Sequence, residues 1–178
     1  MRIPIYQIDA FSSQPFKGNP AAVCPLEEWL PDEVMQSIAM ENNLSETAFF
    51  IKNEDQYDIR WFAPKIEIDL AGHPTLATAH VIFNEMNHQG DSITFNSKIG
   101  DTLNITRNKD IISMNFPSRT PKKISNKELI EEAIGVEVEE FYENRDGLAV
   151  VANEEIVKNL SPSMDKILKM DYIGSVSY

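Results

Sequence analysis

The sequence predicts an α+β fold in which many strands surround one buried helix. Three features point that way. Residues 68–80, IDLAGHPTLATAH, run from Gly72, His73 and Pro74 into a stretch with no face polar enough to lie in water. Short segments with the two-residue alternation of strands recur on both sides of it. Brief polar turns separate them, with no internal repeat, low-complexity tract or flexible linker.

Taken in order, residues 3–11 (IPIYQIDAF) predict the first strand, with Ile3, Ile5 and Gln7 on one face and Tyr6 and Ile8 on the other. Gly18-Asn19-Pro20 reads as a turn, followed by a short strand over 21–24. Pro31 and Asp32 open a helix over 31–41, with Val34, Met35 and Ile38 assigned to its inner face. Residues 46–52 (ETAFFIK) and 57–63 (YDIRWFA) are strands divided by the polar turn 53–56. Pro74 suits the first turn of a helix, where its missing N–H would have no partner in any case. Ala77 and Ala79 would let strands approach that helix closely. Residues 91–96, 100–107 and 111–117 are strands, the last two forming a hairpin around 108–110. From 121 onward the chain is more polar. It holds a capped helix over 125–135 that stops at Gly135, a strand over 147–152 and two short helical pieces within 153–170.

With 178 residues and 42% hydrophobic side chains the chain can bury a core, which excludes a disordered class. The net charge of −12 and the lack of a basic patch argue against nucleic acid and anionic membrane surfaces as partners. A single cysteine, Cys24, permits no internal disulfide, and no apolar stretch approaches the roughly 20 residues of a membrane span. A cytoplasmic location is the expectation.

Few residues carry chemistry. Glu46 stands between Ser45 and Thr47, where a polar loop becomes an apolar strand. It reads either as a solvated strand-end glutamate or as a carboxylate partly desolvated against residues 47–50, the setting of a general base. Gly72 and His73 sit at a helix N-terminus, where unpaired N–H groups and the positive end of the macrodipole attract an anion. Glycine there allows close backbone approach, and His73 either adds a donor or simply caps the helix. His73 and His80 are two helical turns apart, about 10.5 Å along the axis, too far to share one metal ion. His80 reads as a core or partner-satisfied histidine and His88 as a surface residue. Cys24 reads as buried filler rather than as a nucleophile. No HExxH, CxxC, Walker A or GxGxxG pattern occurs, so neither a metal nor a nucleotide cofactor is expected.

Three stretches, IDAFSSQPFKGNPAAV, NLSETAFF and IRWFAPKIEIDLAGHPTLATAHV, follow one another with compatible spacing. Together they closely resemble the phenazine-biosynthesis PhzF-like isomerase family over about residues 5–85, and more loosely beyond. The resemblance implies a fold similar to diaminopimelate epimerase, with curved sheets or barrels each wrapped around a central helix. Residues 1–117 would be the first half, its central helix about 73–86, and 118–178 a crossover and the incomplete start of a truncated second half. It implies a cofactor-independent isomerase that moves a proton between carbons of a small carboxylate substrate. Glu46 would be the catalytic acid/base, Ser45 a hydroxyl contacting substrate, and Gly72 and His73 the pair holding its polar groups. Asn19 would shape the turn beneath the site. Related racemases use two cysteines, one directly before the helix-start glycine; Ala71 stands there, which disfavours a two-thiol mechanism.

Family members carry a second-half motif resembling Asp-Pro-Val-Thr-Gly-Ser-Ala, and this chain does not contain it. Activity is therefore expected to require the missing half. A homodimer, or association with a separately encoded second half, is the expected assembly. A strand is expected within 172–178. The rival expectation is a non-catalytic, truncated binding or dimerisation module.

Overall fold

The computed structural model describes residues 2–170 and the backbone of 175–177. Its residues group into two compact units, 1–117 and 118–178.

The sheet of the first unit has the spatial order β1 (Tyr6–Ala10), β2 (Asn19–Leu26), β3 (Glu46–Asn53), β4 (Gln56–Phe62), β6 (Ser92–Ser97), β7 (Thr102–Asn108) and β8 (Ile111–Asn115), with the short β5 (Glu67–Ile68) beside β4. Two neighbouring pairs are parallel, β2 with β3 and β4 with β6. A parallel pair needs a crossover. Helix α1 (Asp32–Asn42) supplies the first and α2 (Gly72–Asn84) the second.

The sheet curls around α2, which touches β1, β2, β3 and β8. Val23, Phe50, Ile59, Trp61, Phe95 and Ile105 meet Ala77, Val81 and Ile82 of the helix in one core. Burying a large apolar side chain contributes about 1.5–3 kcal/mol, so α2 is held by its surroundings rather than by helix propensity. Alternate residues of β2, β3 and β4 face the other way, where Cys24, Phe49 and Phe62 pack against Met35 and Ala39 of α1. Burial on both faces explains why these strands read as nearly continuous apolar runs.

The expected elements are present with informative differences. Tyr6 and Ile8 join the inner core while Ile3 joins the outer cluster, the alternation expected, although β1 itself starts at Tyr6. Asn19 and Pro20 are not a turn. They open β2, paired with Ala10 and Asp9 of β1 before pairing with β3 begins at Ala21, and an imino acid is tolerated at such a strand start. The tight approach falls on Gly18, where a Cβ would lie 2.3 Å from the Ala10 carbonyl oxygen. On α1 the fully buried positions are Met35 and Ala39, with Ile38 beside them and Val34 only half-buried. The central helix is enclosed except for one narrow stripe, on which Gly72, His80 and Asn84 are exposed and Leu76 is half-buried.

The second unit contains a four-stranded sheet in the order β12 (Ser175–Ser177), β11 (Gly147–Val150), β10 (Glu140–Glu143), β9 (Lys122–Ile124). Its core gathers Ile130, Ile134, Val138, Phe141, Ala149 and Val151 around α3 (Glu128–Ile134), with α4 (Glu154–Lys158) and α5 (Met164–Ile167) following. Gly135 takes a left-handed conformation (φ 77°) and ends α3 as expected. The helix starts later than the sequence suggests, because Asn126 Oδ1 accepts from the Glu128 N–H in the preceding turn. Of the strand expected within 172–178, residues 175–177 form β12 and the others lie outside the described residues.

Candidate active site

The site is built from the starts of three elements. Glu46 opens β3, Asn19 and Pro20 open β2, and Gly72 and His73 open α2. Residue 71, at the helix N-cap, is an alanine in extended conformation (φ −137°, ψ 128°). It offers no side-chain acceptor, and no acidic residue occupies the first turn. Thr75 and Thr78 turn their hydroxyls back onto the Ala71 and Pro74 carbonyls. The leading N–H groups of α2 are thus left unclaimed by side chains of the helix itself, and anions favour such a helix end. A Cβ built on Gly72 meets nothing within 4 Å. Chain packing therefore does not demand this glycine; its effect is to leave bare backbone facing open space.

Ser45, Glu46 and His73 converge across 27 or 28 residues of sequence. His73 Nε2 lies 3.2 Å from Glu46 Oε2 and 3.2 Å from Ser45 Oγ. Ser45 Oγ also reaches Asn19 Oδ1 at 3.3 Å and the Pro20 carbonyl at 3.4 Å. The side chains of Glu46 and His73 are only 18% and 11% exposed, so the carboxylate is partly desolvated. Burial pushes the His73 pKa below its ordinary value, although the Glu46 charge and a hydrogen bond to the Pro20 carbonyl act to raise it. At neutral pH the ring is uncharged, and its contact with Glu46 falls short of a full ion pair. Glu46 Oε2 is buried without a hydrogen-bond partner. The carboxylate charge acts on the imidazole without a hydrogen bond between them.

This geometry is not that of a serine nucleophile. A hydrolytic triad places serine and carboxylate on opposite ring nitrogens, whereas here both oxygens approach Nε2. Cys24 is buried in β2, and desolvation pushes its thiol pKa up to about 12, far from thiolate chemistry at neutral pH. The other histidines exchange the positions expected of them. His80 is exposed and takes a hydrogen bond from Asn84 (3.0 Å), because it falls on the open stripe of α2. His88 is half-buried against Phe83 and Tyr57, with Tyr57 Oη at 3.3 Å and the Ser92 carbonyl at 3.0 Å. Among the described residues no group of three or more His, Cys, Asp and Glu could hold a metal ion, and no helix is long and apolar enough to cross a membrane.

A charge cluster missed in the sequence fixes the approach to α2. Arg60, 8% exposed, forms a two-pronged contact with Glu67 (2.7 and 2.8 Å), bonds Asp32 at 2.8 Å, and lies over the rings of Trp29 and Phe62. Burial would raise the Glu67 pKa, but hydrogen bonds from Arg60 and Lys98 outweigh it and hold the carboxyl below the usual range. Glu67 belongs to the two-residue β5, five residues ahead of Gly72. Its sequence signal was an arginine inside an apolar strand and a glutamate across the following hairpin.

The family profile described as phenazine biosynthesis-like protein (PhzC-PhzF) matches residues 8–177. The chain belongs to this family. An uncharacterized isomerase of Pseudomonas aeruginosa is 41% identical over 94% of this chain and 64% of its own length. A phenazine biosynthesis PhzF-family protein from Enterococcus faecalis, known as a crystal structure, superposes with a TM-score of 0.88 at 43% identity, covering 99% of this chain and 68% of that one. A structure described as a predicted epimerase, also from P. aeruginosa, superposes with a TM-score of 0.76 at 16% identity over 99% of this chain and 70% of that one, a likeness of fold alone. The chain thus spans about two thirds of the length of the PhzF-like relatives it matches. Its fold is the α+β, diaminopimelate epimerase-like one, and its family is one of isomerases.

Proposed function

We propose that this chain carries the proton-transfer site of a cofactor-independent PhzF-like isomerase acting on a small carboxylate. One observation carries the reading: a buried carboxylate oxygen without a partner stands beside an uncharged imidazole at an uncapped helix start. The helix amides, with His73 beside them, hold the substrate's anionic group and steady charge that spreads onto it when a C–H bond breaks. Glu46 takes the proton from that carbon and returns it at another, which relocates a double bond without net redox change. Ser45 contacts the substrate from beside Glu46. Gly72 gives the acid room to approach the backbone.

Turnover belongs to the longer assembly, in which polypeptide equivalent to the remaining third of the relatives completes the site and excludes water. A cytoplasmic location and a homodimer, or pairing with a separately made second half, complete the proposal. The test is exchange of substrate C–H with deuterated solvent in the chain complemented by that second half. Glu46→Gln should reduce exchange by roughly 10² to 10⁴ and leave ligand binding in place; undiminished exchange would remove Glu46 from the role. The rival reading, a non-catalytic docking module, draws on Phe11 and Phe16, which are 72% and 94% exposed. It requires that complementation yield no exchange at all.

A further inference from the structure

Glu46 begins β3 with a strand partner on one side only. It pairs with Ala21 of β2, whereas pairing with β4 starts one residue later, at Thr47 with Phe62. Residues 43–45 alone separate it from the end of α1. Asn43 takes a left-handed conformation (φ 52°), and its N–H donates to the Ala39 carbonyl as the helix ends. A side-chain hydrogen bond crosses this corner, with Asn42 Nδ2 donating to Thr47 Oγ1 at 3.1 Å. Ser45 and Glu46 lie inside the span that it closes. Thr47 is 1% exposed, and the two-residue period points it to the face of β3 opposite Glu46. On that face Cys24, Phe49 and Phe62 pack against Met35 and Ala39 of α1. Valine has nearly the same shape as threonine and would enter such a layer without a hydroxyl to desolvate. Packing alone does not call for threonine here. The bond to Asn42 does.

We infer that Asn42 and Thr47 are positioning residues for Glu46, their hydrogen bond clamping the corner between α1 and β3 so that the carboxylate stands beside His73. The inference rests on the reading of Glu46 as the carboxylate that transfers the proton. Glu46 Oε2 has no hydrogen-bond partner, so the strand that carries the side chain decides where this oxygen stands. Thr47 is enclosed and faces away from the site, and it therefore acts through Glu46 rather than on a substrate. With the clamp open, the carboxylate is free to turn from the ring toward water.

A thermodynamic cycle on the 178-residue chain, read by nuclear magnetic resonance, tests the inference. The His73 imidazole is titrated with and without Glu46→Gln, and the difference measures the pull of the carboxylate on the ring. The cycle is then repeated in Thr47→Val, Thr47→Ser and Asn42→Ala. Doubling the 3.2 Å separation halves a charge interaction even before water screens it. Thr47→Val and Asn42→Ala should each reduce the difference by about twofold or more, while Thr47→Ser, which keeps the hydroxyl, preserves it. A lower urea midpoint in Thr47→Val and Asn42→Ala with the difference unchanged would make the clamp merely structural; that result overturns the inference and leaves the reading of Glu46 standing. Equal losses in Thr47→Val and Thr47→Ser would also overturn it, because the hydroxyl would not be the cause. If the parent shows no difference, the pairing of Glu46 with His73 fails and the inference falls with it. Asn42→Ala changes a half-buried helix end rather than the core, so the outcome does not depend on Thr47→Val folding.

Discussion

Replacing Glu46 by glutamine should stabilise the fold while it removes proton transfer. Oε2 is buried, has no donor, and faces an imidazole that burial keeps uncharged. A buried polar group left unsatisfied costs about 1–3 kcal/mol, more when charged. The 18% residual exposure of the Glu46 side chain retains some hydration, which places the gain near the lower end, about 1 kcal/mol. For a chain of this length that corresponds to a rise in Tm on the order of 2–4 °C. Urea unfolding should show a higher midpoint with an unchanged slope. The same samples provide a second readout, because Glu46 is a nearby negative charge that raises the His73 pKa. Its removal should lower that pKa further in an imidazole titration. A loss of about 1 kcal/mol or more, with His73 titrating as before, would refute the reasoning and make the carboxylate a structural partner of the ring.

Four further outcomes follow from the same geometry. His73 is harder to protonate folded than unfolded, so acidification from about pH 6.5 down to its lowered pKa should cost stability, which levels off below it; His73→Gln should flatten that slope. Gly72→Ala meets no neighbouring atom and should leave stability unchanged or raise it by up to about 0.5 kcal/mol, yet weaken carboxylate binding measured by calorimetry. Arg60→Met should cost up to about 3 kcal/mol in urea unfolding, since it leaves Glu67 with Lys98 alone and removes the ring contacts. The Glu67 carboxyl is held low in the fold, so the parent should lose stability as pH falls below the ordinary carboxylate range and through that depressed pKa, and the variant should lose less there. Cys24 should resist iodoacetamide at pH 8 until denaturant is added, as its thiol pKa near 12 and its burial require.

Pattern made the long elements legible. The apolar run after Pro74 pointed to α2 and its burial, and alternation revealed β3, β4 and β6 through β8, because each is long enough for its period to show. Three short strands stayed hidden, although the four-residue β11 did not. β5, β9 and β10 are held by partners rather than by pattern, β9 and β10 through the Lys123–Glu140 pair at 2.6 Å and the Lys123 contact with the Tyr142 ring. At the site, a helix start suited to anions was readable from Gly72-His73-Pro74, but the meeting of Ser45, Glu46 and His73 was not. Nothing local tells Glu46 that a residue 27 positions later will stand 3.2 Å away. The 18% exposure of Glu46 argues against a fully solvated strand-end glutamate, and only the packed sheet determines that exposure.

The polar groups of the site lie at or beside the first residues of β2, β3 and α2, and the residues that follow them are mostly buried. Foundation and workshop are therefore separable. Substitutions among the leading positions or in the turns before them can alter the site's surface without disturbing the layers beneath. A scaffold organised this way can diversify its chemistry by editing a handful of entry points, one at a time.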